Sequence, residues 1–313
     1  MSKPIRFGIQ AAQQNTGWRE LCDVWKLIDE LGFDTAWNFD HFFPILSDPS
    51  GPCFDGWVSL AALAARTTRV RIGTLVNGNT YRNPAVVAKM AATLDHASGG
   101  RFILGLGAGW FQQEHDAYGI PFHTVAERIH RLDESAEIIK RLLTQKQVTF
   151  DGRYYQIKDA YCEPSPVQTP RPPIMIGGGG EKLTLRVVAK HADIWNTFGS
   201  PEVFKHKLTV LREHCANVGR SFDEIEISWA GLMAVTDSWS QKEALVGAMS
   251  RAFGRPPEEV EQGLLVGSVE EIRGRISRLL EAGVTHFIPI AAAPFNHGWI
   301  RRFAEEVIPA FRG

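Results

Sequence analysis

The chain has 313 residues, 44 % of them apolar, and a formal net charge of −1. That balance excludes a disordered chain and a strongly basic nucleic-acid-binding surface, and the length is ample for a large core. No apolar run is long enough to cross a bilayer. Cys22, Cys53, Cys162 and Cys215 form no close pair, so reduced thiols in a cytoplasmic protein are expected and a metal site is not.

Met1-Ser2-Lys3-Pro4 runs directly into alternating Ile5, Phe7 and Ile9, with no apolar leader before a first strand, Ile5–Gln10. Trp18, Leu21, Trp25, Ile28 and Leu31 recur at helical spacing, so Trp18–Leu31 is a helix, stopped by Gly32. The spacing then predicts a strand at Thr35–Phe39, a helix at Asp55–Arg66, a strand at Val70–Val76 and a helix at Pro84–Ala97, with proline in its first turn. A strand at Arg101–Gly107 and a helix near Val125–Leu143 follow. The rhythm breaks at Val148–Tyr155, a hairpin turning at Asp151-Gly152, and at a proline-rich connector, Glu163–Pro173. It resumes with a strand opening at Pro172–Ile176, a helix at Glu181–Lys190, a strand at Ala192–Asn196, a helix at Glu202–Val218 and a strand at Glu224–Ala230. An irregular insertion, Thr236–Gly267, precedes a helix at Glu270–Ala282, a strand at Val284–Ile290 and a last helix at Trp299–Phe311.

Eight βα units predict an α/β fold, a (β/α)8 TIM barrel with insertions near 148–173 and 236–267, forming one domain over residues 1–313. An open doubly wound sheet is disfavoured, because no Gly-x-Gly-x-x-Gly opens the first helix.

In such a barrel the chemistry lies at the C-terminal strand ends. His41 follows the second strand and can exchange a proton near neutral pH; Asp40 beside it can orient the ring, although adjacent residues on extended chain point apart. A hydrogen-bonded structural histidine is the competing reading. Gly177, Gly178, Gly179 and Gly180 follow the fifth strand. Their uncovered amides at a helix start suit a phosphate better than a simple tight turn does. Gly107, Ala108 and Gly109, after the fourth strand, either admit a flat ring close to the backbone or pack at the rim. Trp57, Trp110 and Trp195 lie near strand ends, where they wall an apolar pocket or belong to the core.

These segments resemble the bacterial luciferase-like superfamily, in particular its coenzyme F420-dependent oxidoreductases. The resemblance rests on Trp37-Asn38-Phe39-Asp40-His41-Phe42, on Arg82-Asn83-Pro84, on Ser98-Gly99-Gly100-Arg101, on Gly105-Leu106-Gly107-Ala108-Gly109-Trp110, and on Pro172-Pro173-Ile174-Met175-Ile176 with the four glycines after it. It implies an eight-stranded barrel, a homodimer, and a cofactor phosphate on Gly177–Gly180. It also implies a bulge under the cofactor ring near Leu75, Val76 and Asn77, often with a non-proline cis peptide. His41 would act on the substrate proton while hydride moves to or from the deazaflavin. Trp110 stands where some sugar-phosphate dehydrogenases of this class carry Glu, which speaks against sugar-phosphate oxidation.

Coenzyme F420 with a small organic substrate is therefore the expected pairing, with no nucleic acid or membrane partner. The alternatives are an FMN-dependent monooxygenase, a non-catalytic flavin-binding protein, and a phosphate-binding lyase or isomerase.

Overall fold

The computed structural model describes residues 3–45 and 47–312; Met1 and Ser2, part of the N-terminal stretch read above, Leu46 and Gly313 lie outside them. Eight parallel strands close into a barrel. In chain order these are β1 (Arg6–Ala11), β2 (Thr35–Asn38), β3 (Arg71–Thr74), β5 (Phe102–Gly107), β8 (Ile174–Gly177), β9 (Ile194–Thr197), β10 (Glu226–Val235) and β12 (His286–Ala291). Closure comes from β12, which pairs with both β1 and β10. The expected barrel is the observed one.

Helices α1 (Trp18–Glu30), α2 (Gly56–Ala64), α3 (Pro84–Ala97), α5 (Val125–Thr144), α6 (Thr184–His191), α7 (Pro201–Val218) and α10 (Val269–Glu281) follow the strands. Helix α3 starts where the sequence says it must. Pro84 occupies the first turn, where its missing N–H costs nothing, and the Asn83 side chain accepts from Ala85 N. The last helix is shorter than expected: α11 (His297–Arg302) continues only as π-helix and 3-10 turns to Ala310. Among the described residues, no helix is long and apolar enough to cross a membrane.

Strand alternation sorts the core into two volumes. Outward residues such as Phe7, Ile9, Phe102, Trp195 and Phe287 pack under the helices. Inward residues Trp37, Ile103, Met175, Ile194, Ala230 and Ile288 fill the barrel, with Leu75 and Val76 packed against them. At the N-terminal end, the fully buried His286 lies 2.8 Å by Nδ1 from Glu226 Oε1 and 2.9 Å by Nε2 from Thr35 Oγ1. Nε2 is hydrogen-bonded, while Nδ1 meets the carboxylate only as a close contact without hydrogen-bond geometry.

The insertions depart from expectation. The hairpin exists as β6 (Val148–Asp151) and β7 (Gln156–Ala160), but its loop is wider than an Asp-Gly turn. Glu134 of α5 shapes that loop by accepting from the N–H groups of Arg153, Tyr154 and Tyr155 at 2.8, 2.9 and 3.1 Å. The segment 236–267 is regular: α8 (Trp239–Phe253), α9 (Pro257–Gln262) and β11 (Leu265–Gly267), a strand parallel to the end of β10. Ser238 caps α8 and Gly254 ends it in the left-handed conformation, punctuation that the prolines at 256 and 257 obscure.

Candidate active site

The mouth of the barrel is floored by the chain between β3 and β4 (Asn77–Gly78), a short strand beside β5. The Leu75–Val76 peptide is cis, at the position the resemblance implied. The Val76 side chain fills the space above β5 and β8. A Cβ built on Gly107 would stand 2.6 Å from Val76 Cγ2, and one on Gly177 would stand 3.1 Å from both Val76 methyls. The missing side chains of Gly107 and Gly177 therefore make room for Val76, so rim packing accounts for Gly107. Gln10 reaches up from β1 to donate to the Leu75 carbonyl at 3.3 Å.

Asn77 is fully buried, and its Oδ1 accepts from Trp57 Nε1 at 2.9 Å and from Arg82 at 3.4 Å. Those two donors fix the amide orientation and leave Asn77 Nδ2 buried without a partner among the described residues. The Asn79 Nδ2 is orphaned in the same way. Buried donors without acceptors are costly, and a planar heterocycle carrying ring carbonyls would satisfy them.

Asp40 is turned away from the His41 ring, correcting the expectation that it orients the imidazole. Its Oδ2 accepts from Arg82 Nη1 at 2.6 Å and from Gly78 N at 3.2 Å. Burial pushes the Asp40 carboxyl above its usual range, with the Arg82 charge opposing. Consecutive residues on extended chain diverge, so Asp40 anchors the 77–82 loop while His41 faces α4 (Gln112–Ala117).

The partner of His41 is Glu114 on α4, a residue the sequence reading did not single out. Glu114 is fully buried, and its Oε2 lies 2.7 Å from His41 Nδ1 and accepts from Tyr81 Oη at 2.6 Å. Its Oε1 accepts from the amides of Phe42 at 2.5 Å and Phe43 at 3.4 Å. Burial alone would raise this carboxyl. The hydrogen bonds from His41, Tyr81 and Phe42 outweigh it and hold Glu114 below the usual carboxylate range. The His41 ring packs edge-on against Phe39, Trp110 and Phe111 at centroid distances of 4.9, 5.8 and 5.9 Å.

Of the three candidate tryptophans, Trp110 alone is open, 57 % exposed beside His41. Trp195 alternates outward from β9 and packs on Phe204 of α7, with its Nε1 donating to Gly178 O at 2.8 Å. Trp57 is buried behind Asn77 and against Phe102. Both therefore support the site from behind instead of lining a substrate pocket.

In the glycine loop, Gly178 (φ 132°) donates its N–H to Asn196 O at 3.0 Å. The amides of Gly179 and Gly180 find no acceptor among the described residues. Helix α6 starts at Thr184, later than expected, so these donors sit on the loop ahead of the helix. Lys207 of α7 joins them, with Nζ 2.6 Å from Gly179 O and 3.3 Å from Glu181 Oε1, a carboxylate that an incoming anion would have to displace from the ammonium. Two free amides and one ammonium fit an anion such as a cofactor phosphate. Ala108 and Gly109 continue the rim, where Arg128 donates to the Gly109 carbonyl at 3.1 Å.

An enclosed parallel barrel with unmet donors, an anion-ready loop and a carboxylate-bonded histidine at one mouth has the parts of a cofactor-dependent enzyme. The chain belongs to the luciferase-like monooxygenase family, whose model matches residues 3–286. It is 31 % identical to the F420-dependent glucose-6-phosphate dehydrogenase of Microbacterium testaceum (strain StLB037), an alignment covering 100 % of this chain and 99 % of that protein. In fold it is similar to an F420-dependent secondary alcohol dehydrogenase solved with an F420-acetone adduct, with a TM-score of 0.88, 23 % identity, and coverage of 99 % of this chain and 100 % of the other. It is also similar in fold to the monooxygenase RslO1 from Streptomyces bottropensis, with a TM-score of 0.81, 24 % identity, and coverage of 98 % and 100 %.

Proposed function

We propose that this chain is an F420-dependent oxidoreductase acting on a small, uncharged organic substrate, with His41 handling the substrate proton. Full-length similarity to F420-dependent dehydrogenases supports the cofactor. The observation that carries the reading is the His41–Glu114 pair beside the unmet donors of Asn77 and Asn79. Asn77, Asn79 and the Leu75–Val76 floor would hold the ring, and Gly179, Gly180 and Lys207 the phosphate. When bound, the deazaflavin supplies or receives a hydride. The chain's own work is to hold the ring flat, keep water from one face with Trp110 and Phe111, and exchange a proton at His41 Nε2.

The relatives' name includes glucose 6-phosphate as substrate, and this site argues for something else. The cations near His41 are already engaged. Arg82 pairs with Asp40 and lies 3.6 Å from Asp55, while Arg128 donates to the carbonyls of Gly109 and His123. The open side chain beside the histidine is the indole of Trp110. An apolar alcohol or carbonyl compound suits that surface better than a phosphorylated sugar. A single domain, a homodimer and a cytoplasmic setting belong to the same reading. Relatives that align end to end, exposed Val58 and Val86 on the touching helices α2 and α3, and four unpaired thiols support them in turn.

The test is titration of the purified protein with F420 and with FMN, followed by fluorescence quenching. Submicromolar F420 binding with negligible FMN binding is expected. The reverse preference would replace this reading with an FMN-dependent monooxygenase. Oxidation of reduced F420 by a panel of aliphatic and aromatic ketones, against F420 reduction by glucose 6-phosphate, tests the substrate class; activity with the sugar phosphate alone refutes it.

A further inference from the structure

We propose that Glu114 is a positioning residue that fixes His41 in the tautomer with its proton on Nδ1, leaving Nε2 bare toward the barrel mouth. The inference rests on His41 being the proton-handling group. An ionised carboxylate can only accept hydrogen bonds. Glu114 already accepts from Tyr81 Oη and from the Phe42 and Phe43 amides, so the His41 nitrogen 2.7 Å away must be the donor. The Tyr81 hydroxyl stays protonated, because burial, and then its bond to Glu114, raise its pKa. Nε2 has no partner among the described residues and is left as the lone-pair nitrogen. A carboxylate on one imidazole nitrogen makes the other the working one and stabilises the imidazolium once it forms.

The other ionisable groups around the ring do not offer an alternative clamp. Asp40 is committed to Arg82, and Asp55 lies on the far side of that guanidinium. Cys53 donates to the His41 carbonyl at 3.5 Å, and burial pushes its thiol up to about 12, so it remains neutral. His115, next to Glu114, has Nε2 2.7 Å from Thr80 Oγ1 and Nδ1 2.8 Å from the Phe111 carbonyl.

The substitution Glu114→Gln keeps the shape and reverses the logic. The amide oxygen stays with the Phe42 amide, and the amide NH2 then faces His41 Nδ1 and donates to it. His41 is forced to carry its proton on Nε2, the wrong nitrogen for accepting a substrate proton. The direct readout is 15N NMR of histidine-labelled protein without cofactor, with the His41 resonance assigned by its loss in His41→Ala. The wild type is expected to show the Nδ1-protonated neutral tautomer. Glu114→Gln is expected to show the Nε2-protonated one. Glu114→Asp is expected to restore the wild-type tautomer.

With oxidised F420 and the alcohol that corresponds to whichever ketone of the panel turns over, the direction in which Nε2 accepts the hydroxyl proton, Glu114→Gln should lower kcat by roughly 10²–10⁴-fold with F420 affinity unchanged. A wild-type His41 protonated on Nε2, or a Glu114→Gln protein whose His41 keeps its proton on Nδ1, overturns the inference. If Glu114→Gln does not fold, the wild-type tautomer and that of Glu114→Asp still decide it. The two readings fail separately. Full turnover in His41→Ala removes the histidine from the mechanism whatever its tautomer, whereas lost turnover in His41→Ala with a wild-type Nε2-protonated ring sinks only the role of Glu114.

Discussion

Gly107→Ala adds one methyl group beneath the floor of the site, and the structure sets its cost. The new Cβ would lie 2.6 Å from Val76 Cγ2, whereas carbon atoms rest at about 3.5–4.0 Å. Val76 must therefore retreat by roughly 1 Å. Its escape is limited, because its methyls also lie 3.1 Å from where a Gly177 Cβ would be and it packs on the interior cluster below. Overpacking of this kind costs about 1–3 kcal/mol, which lowers Tm by about 2–6 °C in a chain of this size. The floor rises with Val76, so F420 affinity should fall about tenfold, equivalent to about 1.4 kcal/mol. Val76→Ala empties the contested space, so adding Gly107→Ala to Val76→Ala should cost almost nothing further. The coupling in a four-protein cycle should reach at least about 1 kcal/mol. Thermal unfolding and fluorescence titration of the four proteins measure it. Strictly additive effects, or a Gly107→Ala protein that binds F420 as the wild type does, would show that Val76 is not wedged between β5 and β8.

His41→Ala should keep F420 affinity within a few-fold while turnover falls by roughly 10²–10⁴-fold in steady-state assays. Burial would raise the Asp133 carboxyl, but its bonds to His191 and Lys190 lower it to about 2. A depressed carboxyl stabilises the fold above its ordinary pKa of 3.8 and stops doing so as pH falls through about 2. The full shift corresponds to about 2.4 kcal/mol. With the side chain 27 % exposed, screening reduces this to about 1 kcal/mol. Denaturant unfolding of Asp133→Asn should show that deficit at pH 7 and a shrinking one from pH 4 toward 2; a constant deficit contradicts it. Glu134→Ala frees three loop amides and should destabilise the protein by about 1–2 kcal/mol. Hydrogen exchange should rise first across 152–155, and equal protection there would rule the cap out.

The barrel was legible because each unit carries its own punctuation: alternating strand residues, a helical stripe, then a stop such as Gly32, or a Pro84 that begins the next helix. His41 was found for the same reason, since a residue just past β2 must lie at the mouth. Its partner was not, because Glu114 sits in Gln112-Gln113-Glu114-His115-Asp116, a run that reads as a solvated turn. Only folding brings it to a histidine 73 positions earlier. Asp40 was misassigned because it neighbours His41 in sequence, and neighbours on extended chain face apart. The same alternation sends Trp195 outward once Ile194 points into the barrel. Lys207 belongs to a helix after the following strand, so no local pattern ties it to the glycines at 177–180.

The pair at the base of the barrel, His286 with Glu226, gives the mouth pair its meaning. Both ends hold an imidazole against a carboxylate, with His286 wholly enclosed and His41 nearly so. At the base, the second nitrogen is taken by Thr35, so a proton there has nowhere to go, and the group works as a rivet joining β2, β10 and β12. On the proposed reading, a single vacant lone pair on His41 Nε2 is what separates the two histidines, and a threonine placed across from His41 would make the mouth pair resemble the base pair.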